Sequence, residues 1–171
     1  IRLARAESHM RVLMIGFGSI GRRHAANANA LGHEVLVVET DDRRRAEAIA
    51  LGGYAVASRL TRDADAVIVA TPVGTHAIVA RALHDECGYV GPLFVEKPID
   101  VDLKNEEFWS AWPHPTTMVG YNLRWQPQMR ALRMGLSGAG SLKAARFGLV
   151  CNMTDWPGAQ YGDPLLECSH E

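Results

Sequence analysis

The sequence predicts an α/β fold: a doubly wound parallel sheet, followed by the start of a second α/β domain with an open sheet. Three observations predict it. From Arg11 onward, short β-branched runs alternate with longer alanine-rich segments, the pattern of repeated βαβ units with right-handed crossovers. Several of the short runs are apolar at every position, as strands buried on both faces of a parallel sheet must be. After about Tyr121 the alternation stops and a different pattern begins.

The elements follow in order. A strand over residues 12–15 runs into Gly16-Phe17-Gly18-Ser19-Ile20-Gly21 and a helix over 20–31, which Gly32 stops. A second strand covers 35–39, and Asp41 caps a helix over 42–51 that Gly52-Gly53 ends. Residues 54–57 form a short third strand. The next strand covers 66–70 and leads to a helix over 75–86, with Gly74-Thr75 as its N-cap. Another strand over 93–96, a helix over 103–112 and a strand over 117–121 complete the sheet. Beyond it, Pro127 opens a helix within 124–136 and Gly138-Ala139-Gly140 makes a turn. Residues 142–151 read as a strand, and the aperiodic stretch 155–164 as a loop. The expected domains are therefore 10–121 and an incomplete 122–171. Ser8-His9-Met10 has the form of a protease-site scar before a start methionine, so residues 1–9 read as a tag remnant. No stop signal follows the helix that opens near Leu165, so the native chain is expected to continue beyond Glu171.

Bulk properties exclude several functions. A chain of 171 residues holds one domain, or one and part of another, and needs neither disulfide nor metal to fold. Eighteen basic and nineteen acidic residues give a net charge of −1, with no basic block for nucleic acid or an acidic membrane. Cys87, Cys151 and Cys168 are scattered without C-x-x-C spacing, which argues for a reducing compartment, with Cys87 and Cys151 as packing residues. No run reaches the roughly 18 apolar residues of a membrane span. The expectation is a soluble cytoplasmic protein whose partner is a small molecule.

The glycine loop carries the first functional signal. Gly16 permits a tight turn, Gly18 lets backbone N–H groups approach a pyrophosphate, and Gly21 lets the helix lie close to the strand. Ser19 and Ile20 open that helix, where unpaired N–H groups and the helix dipole favour an anion. Glu39 ends the second strand eighteen residues past Gly21, placed to accept hydrogen bonds from adenosine ribose hydroxyls. Strand, loop, helix and acid in this order describe a Rossmann-type dinucleotide site. Glu39 repels a 2′-phosphate, so the expected cofactor is NAD; one of Arg43, Arg44 and Arg45 turned toward that phosphate would admit NADP.

Further signals lie at the carboxyl ends of later strands, where ligands of such sheets bind. Thr71 and Pro72 are candidates to line the nicotinamide half of the site. His76 is read two ways, as a ribose ligand or as a packing residue. Lys97 stands between Glu96 and Pro98, and the proline holds it extended. Its ammonium can orient a substrate hydroxyl or stabilise a developing alkoxide; the alternative is a surface lysine at a strand end. Glu167 and His170 share one helix face, an arrangement in which a histidine takes a hydroxyl proton and a carboxylate orients it.

Taken together, GFGSIG at 16–21 with Glu39, ATPVGTH at 70–76, VEKP at 95–98, GYNLRWQP at 120–127 and GDPLLECSHE at 162–171 resemble the Gfo/Idh/MocA oxidoreductases. That family includes glucose–fructose oxidoreductase and inositol dehydrogenases. The resemblance runs from Arg11 to Glu171. It implies a Rossmann domain and a C-terminal α/β domain whose open sheet covers the nicotinamide and forms the interface of a homo-oligomer. Lys97 corresponds to the family lysine, with Glu96 beside it at the cofactor, and His170 to the active-site histidine with Glu167 as acidic partner. Asn122 and Arg124 fall where the wall of the substrate pocket begins. Members oxidise a sugar or polyol hydroxyl to a ketone, or run the reverse, with NAD or NADP. LLECSHE at 165–171 resembles branches associated with surface-sugar biosynthesis. Three departures stand out: Val73 replaces an asparagine, Glu167 an aspartate, and members are longer than this chain. The alternatives are a dinucleotide-binding regulatory or structural protein without turnover, or a fragment that binds cofactor but cannot catalyse.

Overall fold

The computed structural model describes residues 9–113, 116–138, 140, 141 and 144. Strand β1 (Arg11–Ile15) lies inside the sheet, and its side chains point alternately to the two faces. Val12 and Met14 meet Phe17 of the glycine loop, Ala25 and Ala28 from α1 (Ser19–Ala30), and Ala48 from α2 (Asp42–Leu51). Leu13 and Ile15 meet the second core, with Leu83, Leu93 and Val95. Burial on both faces is why this strand is apolar throughout. The small residues Gly21, Ala25 and Ala28 form the buried stripe of α1 and let the helix lie close to the sheet.

Five more strands run parallel to β1 in the same sheet: β2 (Glu34–Val38), β3 (Tyr54–Ala57), β4 (Ala66–Val69), β5 (Leu93–Val95) and β6 (Thr117–Val119). Their order is β3-β2-β1-β4-β5-β6. The chain winds outward from β1 to β3 and then returns to β4 on the other side, so β1 and β4 flank the switch point where ligands of open α/β sheets bind. Ile15 pairs with Val38 and Val69, and Val69 with Val95. The residues that follow these strands, Glu39, Gly16, Ala70 and Glu96, therefore form a row along the carboxyl edge. Backbone bonds continue along that row. Gly16 N–H donates to Val38 O (2.9 Å), Ala70 N–H to Ile15 O (2.8 Å) and Glu96 N–H to Val69 O (2.9 Å).

The expected fold class is the observed one for the sheet, with differences at element ends. Asp41 caps α2 as expected, accepting from Arg44 N–H at 2.9 Å. Gly52 ends it at φ +67°, a conformation that glycine adopts without Cβ strain. The expected helix over 75–86 is three pieces instead: a 3-10 turn (Val73–Thr75), α3 (His76–Arg81) and a π turn (Ala82–Glu86). Thr75 is the N-cap residue of α3, but its side chain makes no cap bond, because its hydroxyl bonds Pro72 O (2.6 Å) and the Thr71 hydroxyl (2.8 Å). The helix over 103–112 likewise resolves into a 3-10 turn (Leu103–Asn105) and α4 (Glu106–Ser110). Residues 58–65, between β3 and β4, hold no helix although such crossovers usually do. Among the described residues, no helix is long and apolar enough to cross a membrane.

The described residues fall into two compact units, one ending at Gly120 and the other starting at Tyr121. In the second, a 3-10 turn (Asn122–Trp125) leads to α5 (Pro127–Ser137). Pro127 sits in its first turn, where a missing N–H breaks no bond. The expected strand over 142–151 (apart from Ala144), the loop over 155–164 and all of the expected tag remnant except His9 lie outside the described residues.

Candidate functional site

The glycine loop turns directly under the row described above. Gly16 has φ +91°, and a Cβ there would meet Ala70 O at 2.7 Å, so neighbouring backbone forbids a side chain. At Gly21 a Cβ would stand 2.0 Å from Gly16 O. Gly18 differs: its only neighbour would be the Arg44 guanidinium at 4.0 Å. Gly18 is the N-cap of α1, no side chain caps that helix, and its first turn carries no acid. The first-turn amides and the positive end of the dipole, from Ser19 and Ile20 onward, are thus left for an anion. These features fit a pyrophosphate.

Glu39 is 8% exposed and binds mainly its own surroundings. One carboxylate oxygen accepts Phe17 N–H (2.6 Å); the other accepts Thr40 N–H (2.7 Å) and Asp41 N–H (2.9 Å). Three backbone donors leave lone-pair capacity for about one ribose hydroxyl, chiefly on the oxygen that holds Phe17. The expected ribose acceptor is thus also the clamp between the glycine loop and the β2–α2 turn. Among the three arginines, Arg45 donates to Glu39 O (3.0 Å) and to the Asp42 carboxylate. Arg44, beside Gly18, is the one placed next to the phosphate loop.

A cleft of about 1400 Å³ opens here, lined by Gly16, Glu39, Thr40, Thr71, Pro72 and Thr75. Leu36, Val38 and Val56 extend its wall, together with residues 58–63. The structure thus brings together Gly16, Glu39, Thr71 and Pro72. Gly18, Ser19, Ile20, Gly21, His76, Glu96 and Lys97 are not among the lining residues.

His76, read either as a ribose ligand or as a packing residue, is held inside the domain. It is 1% exposed, and both ring nitrogens face backbone carbonyls: Nε2 lies 2.9 Å from Thr71 O, and Nδ1 3.1 Å from Pro98 O and 3.3 Å from Ile99 O. No ring nitrogen is left for a ribose. Glu96, expected at the cofactor, gives one oxygen to His24 Nε2 (2.7 Å) and the other to Lys97 N–H (3.1 Å). Nothing in the sequence marks His24, one polar residue among several on α1. The Lys97-Pro98 peptide bond is cis.

Burial by itself would raise the Glu96 pKa, but the hydrogen bonds from His24 and Lys97 N–H, with the charges of those two residues, outweigh it. The carboxyl is held below the usual glutamate range. A depressed folded-state pKa contributes stability that is complete above the unfolded value, about 4.3, and is lost as pH falls through the folded one. Urea midpoints measured from pH 6 down to about 3 are expected to fall less steeply in Glu96→Gln than in the unmodified chain. Parallel curves would show that Glu96 contributes nothing to acid sensitivity.

Of the remaining candidates, Asn122 and Arg124 lie in the second unit, exposed on the turn before α5, with the Arg124 guanidinium 5.7 Å from the Trp125 ring centre. Glu167 and His170 lie outside the described residues.

Comparison with known proteins bears on the fold and the family. Residues 10–107 match the model of an oxidoreductase family with an NAD-binding Rossmann fold. The chain is 28% identical over 137 residues to UDP-N-acetylglucosamine 3-dehydrogenase of Acidithiobacillus ferrooxidans, covering 77% of this chain and 43% of that protein. A solved structure of that enzyme superposes with a TM-score of 0.64 at 26% identity, over 75% of this chain and 43% of the other. A probable dehydrogenase from Thermotoga maritima, 23% identical with a TM-score of 0.62, covers 75% and 41% and shares the fold. The chain thus spans less than half the length of these relatives.

Proposed function

Because this chain belongs to the Gfo/Idh/MocA oxidoreductase family, with its NAD-binding Rossmann fold, we propose that it holds a nicotinamide dinucleotide for hydride transfer. The transfer runs to or from a hydroxyl or keto carbon of a sugar, polyol or related small molecule. One observation carries the reading: Glu39, Gly16 and Thr71, far apart in sequence, line one cleft beside the uncapped start of α1. When bound, the nicotinamide supplies the hydride acceptor or donor.

The chain's own residues do the rest. First-turn amides at Gly18, Ser19 and Ile20 receive the pyrophosphate, Glu39 receives a ribose hydroxyl, and Thr71 and Pro72 line the nicotinamide half. Lys97 orients the substrate hydroxyl and stabilises the alkoxide that develops. His170, oriented by Glu167, takes or returns the hydroxyl proton, and Asn122 and Arg124 contact the substrate. In this reading residues 10–121 form the cofactor domain, and 122–171 begin the substrate domain through which full-length subunits associate. Similarity to a UDP-N-acetylglucosamine 3-dehydrogenase favours a sugar nucleotide as the substrate class.

Glu39 disfavours a 2′-phosphate, so the proposed cofactor is NAD. Titration with NADH and NADPH, followed by energy transfer from tryptophan to the reduced nicotinamide, is expected to give NADPH the weaker binding by about tenfold. Equal binding would remove Glu39 as the discriminator and point to Arg44. Binding of neither, by this chain or by a full-length form, would sink the proposal.

A further inference from the structure

We propose that His24 and His76 are positioning residues for Lys97, holding it from its two sides and tying it to the two loops assigned to the cofactor. Its consequence for turnover rests on the role given to Lys97 above; the geometry does not.

Lys97 is flanked by two residues, and each is held by a histidine from a different helix. Before it stands Glu96. His24 reaches across from α1 to one of its oxygens at 2.7 Å, and the other accepts the Lys97 N–H at 3.1 Å. The His24 ring is fixed in turn by an edge contact with Phe94, centroids 5.2 Å apart. The Glu96 carboxylate is confined on another side by Gly120, where a Cβ would stand 3.2 Å from both oxygens. After Lys97 stands Pro98, whose carbonyl lies 3.1 Å from His76 Nδ1, while the opposite nitrogen of that ring faces Thr71 O at 2.9 Å.

The origins of these helices give the arrangement its meaning. α1 begins at the glycine loop, and α3 follows the turn that starts at Thr71. A displacement of either loop is therefore passed through one imidazole to a residue adjacent to Lys97. Carbonyl oxygens only accept, so each of these contacts calls for a ring N–H; a neutral imidazole supplies one and an imidazolium both, and an apolar side chain of similar size supplies none. Burying an imidazole is costly without such partners, which speaks against His76 as simple filler.

The test reads Lys97 itself. Reductive methylation of the folded full chain, followed by peptide mass spectrometry, compares Lys97 with Lys104, which is exposed. His24→Gln and His76→Asn are each expected to change the Lys97 rate by about threefold or more and to leave Lys104 unchanged. An unchanged Lys97 rate in both variants overturns the proposal. Should His76→Asn lose its cooperative melt, His24→Gln alone decides, since that side chain lies at the surface of the core.

Turnover of the full-length enzyme supplies the second readout. Each variant is expected to lower kcat roughly tenfold while the NADH dissociation constant stays within about twofold, and to cost nothing further when Lys97→Met is already present. A loss that persists undiminished beside Lys97→Met overturns the positioning role. Altered Lys97 labelling in a protein with no turnover at all would uphold the positioning and sink the dehydrogenase reading instead.

Discussion

Gly21→Ala is expected to lower the melting temperature by about 10 °C or more and to abolish NADH binding, whereas Gly18→Ala keeps the melt and loses only the binding. The difference comes from what each new methyl group meets. At Gly21 it would stand 2.0 Å from Gly16 O, a backbone atom in a turn that Ala70 O already confines. Neither the helix nor the turn can yield without disturbing the row of bonds along the carboxyl edge. Overpacking of this kind costs roughly 1–3 kcal/mol and occasionally more, and a contact with backbone belongs at the upper end. At Gly18 the methyl group meets only the end of the Arg44 side chain at 4.0 Å, and its φ of −69° suits alanine. The methyl group there occupies the approach of a pyrophosphate to the first-turn amides. Thermal melts and NADH titrations of both variants check the pair. Normal NADH affinity in Gly18→Ala would place the pyrophosphate elsewhere.

The second large effect concerns Glu39. Its carboxylate holds Phe17, Thr40 and Asp41 by their amides, so Glu39→Ala leaves at least the buried Phe17 N–H without its acceptor. One such buried donor costs roughly 1–3 kcal/mol, and the loss of three bonds to an ionised group places the expected destabilisation at about 3 kcal/mol. The glycine loop loses its tie to the β2–α2 turn, so NADH affinity falls as well. The preference for NADH over NADPH also narrows, by about tenfold, because the charge that repels a 2′-phosphate is gone. Urea unfolding gives the first quantity and paired titrations the second. Destabilisation with an unaltered preference would make Glu39 a clamp alone, with no part in cofactor choice.

Glu39 illustrates how far the sequence could be read. Its place after β2, eighteen residues beyond Gly21, was legible because Rossmann-type loops keep strand, glycines and acid at short, regular separations. Its partners were not. Which donors a carboxylate meets depends on how the loop folds back, and the answer left room for about one ribose hydroxyl. His76 shows the same limit from the opposite side. The motif drew attention to it, yet a histidine that binds a ribose and one that ties two loops together look identical in one dimension. His24 carried no signal at all, because its partner Glu96 lies 72 residues away.

The sequence by itself determined the strands, the glycine turn, the Asp41 cap, the stop at Gly52 and the proline start of α5. Each depends on residues within one or two turns of chain, through side-chain period, φ preference or a local hydrogen bond. The tertiary structure alone decided the strand order, the breaking of the 75–86 helix into three turns and the missing crossover helix between β3 and β4. It also decided the inward commitment of Glu39, His76 and Glu96. These outcomes depend on which carbonyls and apolar faces the sheet brings within reach, and buried polar groups must take whatever partners the packing supplies.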